Sequence, residues 1–456
     1  MMDNSNSAAL SEHRIQQTEA ARARLCQLCD RNSFFEFDRY AGGTVCCGSA
    51  RIDGRGVFVY AFDAGVRNGA MDARSAECLC GVLKKAQDTG TPVVGVVCSG
   101  GVLLSDGLDA ANGFGKMIKS AAALCGKAPH IISVEGPALG LMGAYVQCAD
   151  AVIINENGSI GAGITAECML KAKAAVSAGD AAIKVCTGDE DEMIKRVLSY
   201  LPDNGESYRQ VECTDDPGRV CSGIEGMADD AGAVVNEVFD AGSFCALYDS
   251  FGKDILSGFA MLGGVSVGVI ANNSPFIGGD GARKAARIIS LCDAYSMPII
   301  FICNAQGVVS DGKSEEGGTL CNLGRLAGAA AVASVPLITV ITKEAVGSAY
   351  TIMGSKSIGA DVVFAWNNAR IGLVDAATAV AMQGAERLRA SENPVSARKD
   401  MEKEYQQNEM DVYAAAAAGC VDQPIEPENT RISLCAALDC LRNKRREAAR
   451  RHVMPF

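Results

Sequence analysis

Histidine is nearly missing from this chain, with 3 residues in 456. His13 and His452 lie near the two ends, which leaves His130 alone for a folded interior. A Ser-His-Asp relay, an imidazole general base and a His-rich metal site are thereby nearly closed off. Tryptophan is scarcer still at 1 copy, while glycine reaches 50, so small residues are available for close backbone approach. Basic charge is also short. The 42 Lys and Arg face 54 Asp and Glu, and a net charge of −12 argues against nucleic acid or an anionic membrane as the main partner. No apolar run reaches the roughly 18 residues of a membrane span. The nearest candidate, 327–342, is Ala-rich and broken by Pro336. The opening MMDNSNSAALSEHR lacks the apolar stretch of a secretion signal, so a cytoplasmic protein without membrane insertion is expected. No Gly-Lys-Ser/Thr phosphate loop is present, and Gly161-Ala162-Gly163 lacks the spacing of a dinucleotide fingerprint.

What the chain does have is apolar mass, with 48% hydrophobic and 21% charged residues describing a well-buried globular protein of more than one domain. Its 20 cysteines, without a secretion signal, read as reduced thiols that serve as small core residues. Cys26-x-x-Cys29 followed by Cys46-Cys47 has the outline of a zinc ribbon. The first pair, however, sits in a helical pattern, and adjacent residues of a strand point to opposite faces. No metal is expected. Cys78 and Cys80 fall in a second helical stretch and read as packing.

The strongest organisational signal is an internal duplication. GSARIDGRGVFVYAFD, SAECLCGVLKKAQDTG and TPVVGVVCSGGV are matched by SGFAMLGGVSVGVIAN, KAARIISLCDAYS and MPIIFICNAQGV. Each set reads as a β-hairpin, a helix and a buried strand that ends on a Gly-containing loop. The correspondence continues from the segment 127–163 to the segment 334–376. Both begin with a Pro-led strand, pass a small-residue loop into a helix, and end on an Asp, a strand and Ile-Gly. Two tandem α/β domains follow from this alternation. The acidic, turn-rich stretch between them reads as a linker, and a final helix is expected from Asn429 or Thr430 to about Arg446.

Each repeat sets two small-residue loops where its strands end. They are Ser99-Gly100-Gly101 and Gly140-Leu141-Met142-Gly143 in the first half, Asn304-Ala305-Gln306-Gly307 and Val346-Gly347-Ser348-Ala349 in the second. A glycine turn that opens a helix presents free backbone N–H groups, and two such groups can hold a developing oxyanion without any histidine. Close helix–sheet packing explains a single glycine loop equally well. The recurrence of the loop in both halves favours function.

With these residues in view, the chain resembles the carboxyltransferase family of biotin-dependent acyl-CoA carboxylases and decarboxylases. The likeness runs from about Arg14 to the C-terminus. It rests on ARARLCQLCDRNSFFEFD, CSGG after TPVVGVV, GPALG before an Asp-led strand, KEAVGSAYTIMGSKSIGADVVFAW and CVDQPIEPENTRISLCAALDCLRNKR. The resemblance implies an α/β protein built as a tandem duplication of two crotonase-like (ββα spiral) domains. It assigns residues 1–13 to a flexible tail, 14–202 to an acyl-CoA domain, 203–228 to the acidic linker and 229–456 to a biotin domain. The thioester oxyanion hole then falls on the amides of Gly140 and Leu141, and the hole for the biotin ureido oxygen on those of Ser348 and Ala349. Ser99, Gly100, Gly101, Gly347 and Thr351 become substrate-binding positions, with Thr351 where acyl-chain length is set. The family works with biotin on a separate carrier protein, beside a biotin carboxylase or a membrane decarboxylase subunit. It assembles as a dimer or a trimer of dimers, and its cofactor supplies the base.

The chain departs from the family at three places. Leu103 stands where relatives carry an arginine, Cys321-Asn322 where an Arg-His pair is frequent, and Asn304-Ala305-Gln306-Gly307 in place of an Asp-Val-Pro-Gly turn. These losses keep open a non-catalytic subunit of a carboxylase assembly. An enoyl-CoA hydratase or isomerase is the third reading, although neither glycine loop holds the carboxylate base such chemistry uses. Lys343, Lys356, Glu135 and Asp150 are further polar candidates near the loops. His130 reads as a packed or capping residue.

Overall fold

Two hairpin turns that need left-handed backbone begin the two halves alike. Asp53 and Gly54 hold φ of 49° and 76°, and Gly263 and Gly264 hold 58° and 77°. Paired positive φ of this kind matches the right-handed twist of the flanking strands. The computed structural model describes residues 18–39, 42–163, 165–204, 208–213 and 215–444. His13, His452, the tail 1–13 and the basic residues Arg445, Arg446, Arg450 and Arg451 lie outside the described residues. The chain divides into two compact units between Ser207 and Tyr208.

The first unit opens with α1 (Glu19–Leu28) and β1 (Phe35–Phe37), followed by the hairpin β2 (Val45–Ile52) and β3 (Arg55–Phe62). Next come α2 (Ala73–Thr89), β4 (Val93–Ser99), α3 (Gly107–Leu124), β5 (His130–Leu139) and α4 (Leu141–Val146). It ends with β6 (Ala151–Asn155), β7 (Ser159–Gly161), β8 (Leu170–Lys171), α5 (Ala172–Ala178), β9 (Ile183–Val185) and α6 (Glu190–Tyr200). The sheet runs β1-β2-β3-β4-β5-β6-β9, with β7 added beside β5. From β3 onward neighbours on this path are parallel. The central strands are apolar on both faces, as a parallel sheet covered by helices requires. Helix α2 shows why its residues form a helix. The Asp72 carboxylate accepts the Ser75 N–H, Gly90 ends the helix at φ 71°, and Ala76, Leu79, Leu83 and Ala86 form the buried stripe.

The second unit repeats the plan. It contains α7 (Ala231–Val238), β10 (Cys245–Ala246), β11 (Ile255–Leu262), β12 (Val265–Asn272), β13 (Phe276–Ile277), α8 (Gly279–Ala294) and β14 (Ile299–Ala305). Then follow β15 (Gly307–Val308), α9 (Gly312–Glu316), α10 (Thr319–Val332), β16 (Leu337–Val346), α11 (Gly347–Ile352), β17 (Val362–Trp366) and β18 (Arg370–Gly372). The helices α12 (Ala376–Gln383), α13 (Ala385–Ala390), α14 (Pro394–Glu409) and α15 (Val412–Ala417) form an insertion before β19 (Gln423–Ile425) and α16 (Thr430–Cys440). Its sheet order, β10-β11-β12-β14-β16-β17-β19 with β18 beside β16, reproduces the main path of the first, which adds only β8 beside β7.

The last helix is shorter than its pattern predicts. It ends at Cys440, where successive turns tighten through Arg442 N–H to Asp439 O and Lys444 N–H to Leu441 O, and the Lys444 ammonium turns back onto Asp361 and the Val335 carbonyl. Within the 203–228 stretch, Arg55 holds Asp203 in the first unit, while Arg219 and the fully buried Arg431 hold Asp215 in the second. All 20 cysteines are free; Cys26 is exposed, whereas Cys29, Cys46 and Cys47 are buried. Among the described residues no helix is long and apolar enough to cross a membrane.

Candidate active site

In each unit a corner forms where two parallel strands end and a short helix begins. Strands β4 and β5 run in register from Val93↔His130 to Val97↔Val134, then slip by a bulge and resume at Ser99↔Ala138. Strands β14 and β16 do the same, slipping between Cys303 and Ala305, with Ala305↔Ala345 after the slip. A bulge bends the strand ends and re-aims the loops that leave them. Beyond it, β7 is laid against the end of β5 (Leu139↔Gly161) and β18 against the end of β16 (Val346↔Gly372).

The first corner gathers Ser99, Gly100, Gly101, Gly140 and Leu141. The Ser99 hydroxyl donates to the Gly69 carbonyl at 2.7 Å and accepts the Gly101 N–H at 3.2 Å, so it is a buried strut. Gly101 takes φ 100°, and a Cβ there would stand 3.0 Å from the Leu139 carbonyl oxygen, which shows how closely the two loops abut. Gly140 takes φ 61° with open space where a Cβ would lie. Its own N–H donates to the Gly161 carbonyl at 2.8 Å. The Gly140 amide is therefore occupied in this structure. Among the described residues no acceptor engages the amides of Leu141, in the first turn of α4, or of Val102, which follows the Gly100-Gly101 turn. Val102 is the residue that sequence reading passes over. The signal was present in its position one residue beyond the glycine pair.

The second corner gathers Gly347, Ser348, Ala349 and Thr351 on α11. Gly347 takes φ 58° and would place a Cβ 3.2 Å from the Leu373 carbonyl oxygen. Ser348 is exposed, Ala349 is buried, and neither amide has an acceptor among the described residues. Thr351 is exposed one turn along, and its carbonyl accepts the Ser355 hydroxyl at 3.0 Å. The Asn304-Ala305-Gln306-Gly307 loop is fastened nearby. Gln306 donates to Glu344 at 2.8 Å, and the Asn304 side chain donates to the Ala228 carbonyl at 2.9 Å.

The remaining polar candidates are committed elsewhere. Glu135 accepts from Nε and Nη2 of Arg24, at 2.8 and 2.6 Å, and Asp150 accepts the His130 N–H at 2.8 Å. Lys343 pairs with Asp229 at 2.6 Å and Lys356 with Asp422. Of the replaced positions, Leu103 is half-buried, and Asn322 accepts from Arg325 at 3.1 Å. His130 opens β5 fully buried, its Nε2 bonded to the Tyr60 hydroxyl at 3.0 Å and its Nδ1 without a partner. Burial pushes its pKa down to about 3. A ring that stays neutral inside the core is a packing residue.

Comparison with known proteins bears on both architecture and chemistry. A family model described as the carboxyl transferase domain matches residues 21–454. The carboxyltransferase subunit of a propionyl-CoA carboxylase from Haloferax mediterranei is 32% identical, covering 93% of this chain and 91% of its own. The methylmalonyl-CoA decarboxylase subunit alpha of Propionigenium modestum is 29% identical over 95% of this chain and 92% of its own. Among solved structures, transcarboxylase 12S with methylmalonyl-coenzyme A bound aligns at a TM-score of 0.91 and 26% identity, covering 98% of this chain and 94% of that one. The duplication read from the repeats and the crotonase-like fold implied by the family resemblance are both found. The family likeness read from the sequence likewise holds across the chain, which belongs to the carboxyl transferase domain family and is a biotin-dependent acyl-CoA carboxyltransferase.

Proposed function

We propose that the chain moves a carboxyl group between a short acyl-CoA and biotin borne on a separate carrier protein, and that each unit supplies one oxyanion site made of backbone amides. The observation that carries this reading is the repetition of one bulged, glycine-turned corner in both units. Residues 14–202 take the thioester and 229–456 take biotin, with 203–228 between them. At the first corner the Leu141 amide, with Val102, holds the thioester oxygen as negative charge develops on it. Gly140 sets the turn, and Gly140 N–H becomes a third donor when the Gly161 bond opens. Ser99, Gly100 and Gly101 hold that loop in place.

At the second corner the amides of Ser348 and Ala349 hold the ureido oxygen, with Gly347 forming the turn and Thr351 beside the acyl group. The donor set fits a neutral carbonyl. Residues 345–351 carry no charged side chain, and the charges of Lys343 and Lys356 are spent on Asp229 and Asp422. Biotin, when bound, supplies the carboxyl carrier and the basic nitrogen. Each preorganised amide lowers the barrier by about 3–4 kcal/mol. The relatives' names make propionyl-CoA and methylmalonyl-CoA the first substrates to test. Partners of the same kind are proposed: a biotin carrier, a biotin carboxylase or membrane decarboxylase subunit, and further copies of this chain in a cytoplasmic dimer or trimer of dimers.

The test is decarboxylation of malonyl-CoA, methylmalonyl-CoA and glutaconyl-CoA by the purified chain with free biotin. Turnover of one of them is expected. Inactivity with all three, and with a carboxybiotinylated carrier and acyl-CoA acceptors, would overturn the reading.

A further inference from the structure

An acyl-CoA is an anion, through its phosphates and, when carboxylated, through its acyl end. The first corner is poorly equipped to attract one. Across residues 64–72, 98–109 and 136–144, which build and border it, the acidic side chains are Asp72, Asp106 and Asp109, and the only basic one is Arg67. Arg67 stands in an unusual place. Arg67, Asn68 and Gly69 take φ of 51°, 55° and 63° in succession, a left-handed turn closed by Gly69 N–H to Val66 O at 2.9 Å and Ala70 N–H to Arg67 O at 3.1 Å. Glycine adopts such backbone freely and asparagine tolerates it, whereas arginine is strained in it.

The turn is pinned to the corner. Gly100 donates its N–H to the Asn68 carbonyl at 2.9 Å, the Ser99 hydroxyl reaches the Gly69 carbonyl, and Met71 N–H donates to Gly101 O at 2.7 Å. A Cβ on Gly69 would stand 2.1 Å from the Cys98 carbonyl oxygen, so the third position accepts only glycine. The first has no such demand, yet it carries the one cation. Its guanidinium lies 3.3 Å from Asp72, which is 8% exposed, while Arg67 itself is 46% exposed. A buried carboxylate thus steadies one arm and leaves the rest of the donor fork to solvent. The second unit has no positive φ between Gly264 and the end of β13, so the repeated fold does not itself require the turn. Strain kept at one site of a duplicated architecture points to use.

We infer that Arg67 is a substrate-positioning residue that binds an anionic group of the acyl-CoA at the first corner. The anionic group is the free carboxylate of a carboxylated thioester or a phosphate of the coenzyme. The inference rests on the carboxyltransferase reading. Binding of methylmalonyl-CoA, propionyl-CoA and coenzyme A to the full chain is measured by titration calorimetry, for the wild type, Arg67→Gln and Arg67→Gly, with a thermal melt of each. No binding by the wild type counts against the functional reading itself, before Arg67 is questioned. Loss of one charge-assisted contact is expected to weaken binding about tenfold in Arg67→Gln. Weakening confined to methylmalonyl-CoA identifies the carboxylate, and equal weakening of all three identifies a phosphate. Glycine relieves the left-handed strain, so Arg67→Gly is expected to melt no lower than the wild type while losing the same affinity. Wild-type affinity for all three ligands in both variants would overturn the inference.

Discussion

The two corners share a backbone and differ in charge. Both leave a bulged pair of parallel strands, turn at a left-handed glycine (Gly140 at φ 61°, Gly347 at φ 58°) and enter a six-residue helix. In the second unit the nearby cations are already matched, Lys343 by Asp229 and Lys356 by Asp422. In the first, acidic residues outnumber a single half-exposed arginine. Duplication supplies the amides twice. On the proposed reading the side chains around them divide the labour, a neutral pocket for a ureido carbonyl and an arginine-bearing one for an anionic thioester. Nothing in this division needs histidine, in keeping with a base provided by the cofactor.

The most damaging way to break the comparison is to delete one amide from each corner without moving the chain. Proline is tolerated in the first turn of a helix, where its missing N–H has no internal acceptor. Leu141→Pro and Ser348→Pro are mirror-image lesions. Each is expected to slow biotin-dependent decarboxylation by roughly 100- to 1000-fold, the cost of one oxyanion donor. The two should part in their Michaelis constants. The Ser348 variant should raise that for free biotin and spare that for the thioester, and the Leu141 variant the reverse. Steady-state kinetics with each substrate varied in turn checks this. Identical profiles from both variants would erase the distinction between the corners.

How far these differences were legible in the sequence depends on their range. The repeated strand–helix units and both glycine turns are local patterns, and they appear in the structure where periodicity and turn chemistry place them. The engagement of the Gly140 amide by Gly161 is not local, because it follows from β7 folding back beside β5. The pairing of Lys343 with Asp229, 114 positions away, is equally invisible along the chain. Arg67 went unremarked for a different reason. Arginine in left-handed backbone breaks a propensity rule, and such exceptions show only once φ is known. The final helix stopped early for a tertiary reason as well, with Lys444 drawn to Asp361.

The cores sharpen the comparison at a smaller scale. The first sheet holds a hydroxyl–hydroxyl–imidazole chain, with the Tyr145 hydroxyl donating to Tyr60 at 3.1 Å and the Tyr60 hydroxyl bonded to His130 Nε2. It fits because Gly95 is Tyr60's partner across β3 and β4. A Cβ at Gly95 would lie 2.1 Å from the Tyr60 ring. In the second sheet the corresponding strands β12 and β14 pair Ile270 with Phe301 and need no such gap. Gly95→Ala should therefore destabilise the first unit by about 1–3 kcal/mol, as overpacking does. Hydrogen exchange followed by mass spectrometry should show the loss in β3–β5 and not in β12–β16. An equal loss in both units would mean that they unfold as one.

The mildest effect belongs to His130 itself. Its buried imidazole protonates only near pH 3, whereas the unfolded ring does so near 6.5. Above about pH 6.5 both states are neutral and the group is silent in stability. As pH falls from there toward 3, the unfolded chain gains a proton that the folded core refuses, so stability declines. Among the described residues the charged group bonded to it is Asp150, which accepts its main-chain N–H, while Tyr60 and Tyr145 face the ring. Gln at this position keeps an acceptor for the Tyr60 hydroxyl but cannot titrate. His130→Gln should accordingly flatten the fall in urea midpoint between pH 7 and pH 5 relative to the wild type, and leave biotin-dependent turnover intact at pH 7. Loss of turnover in a variant that melts normally would return histidine to the mechanism and undo the division of labour between cofactor and backbone.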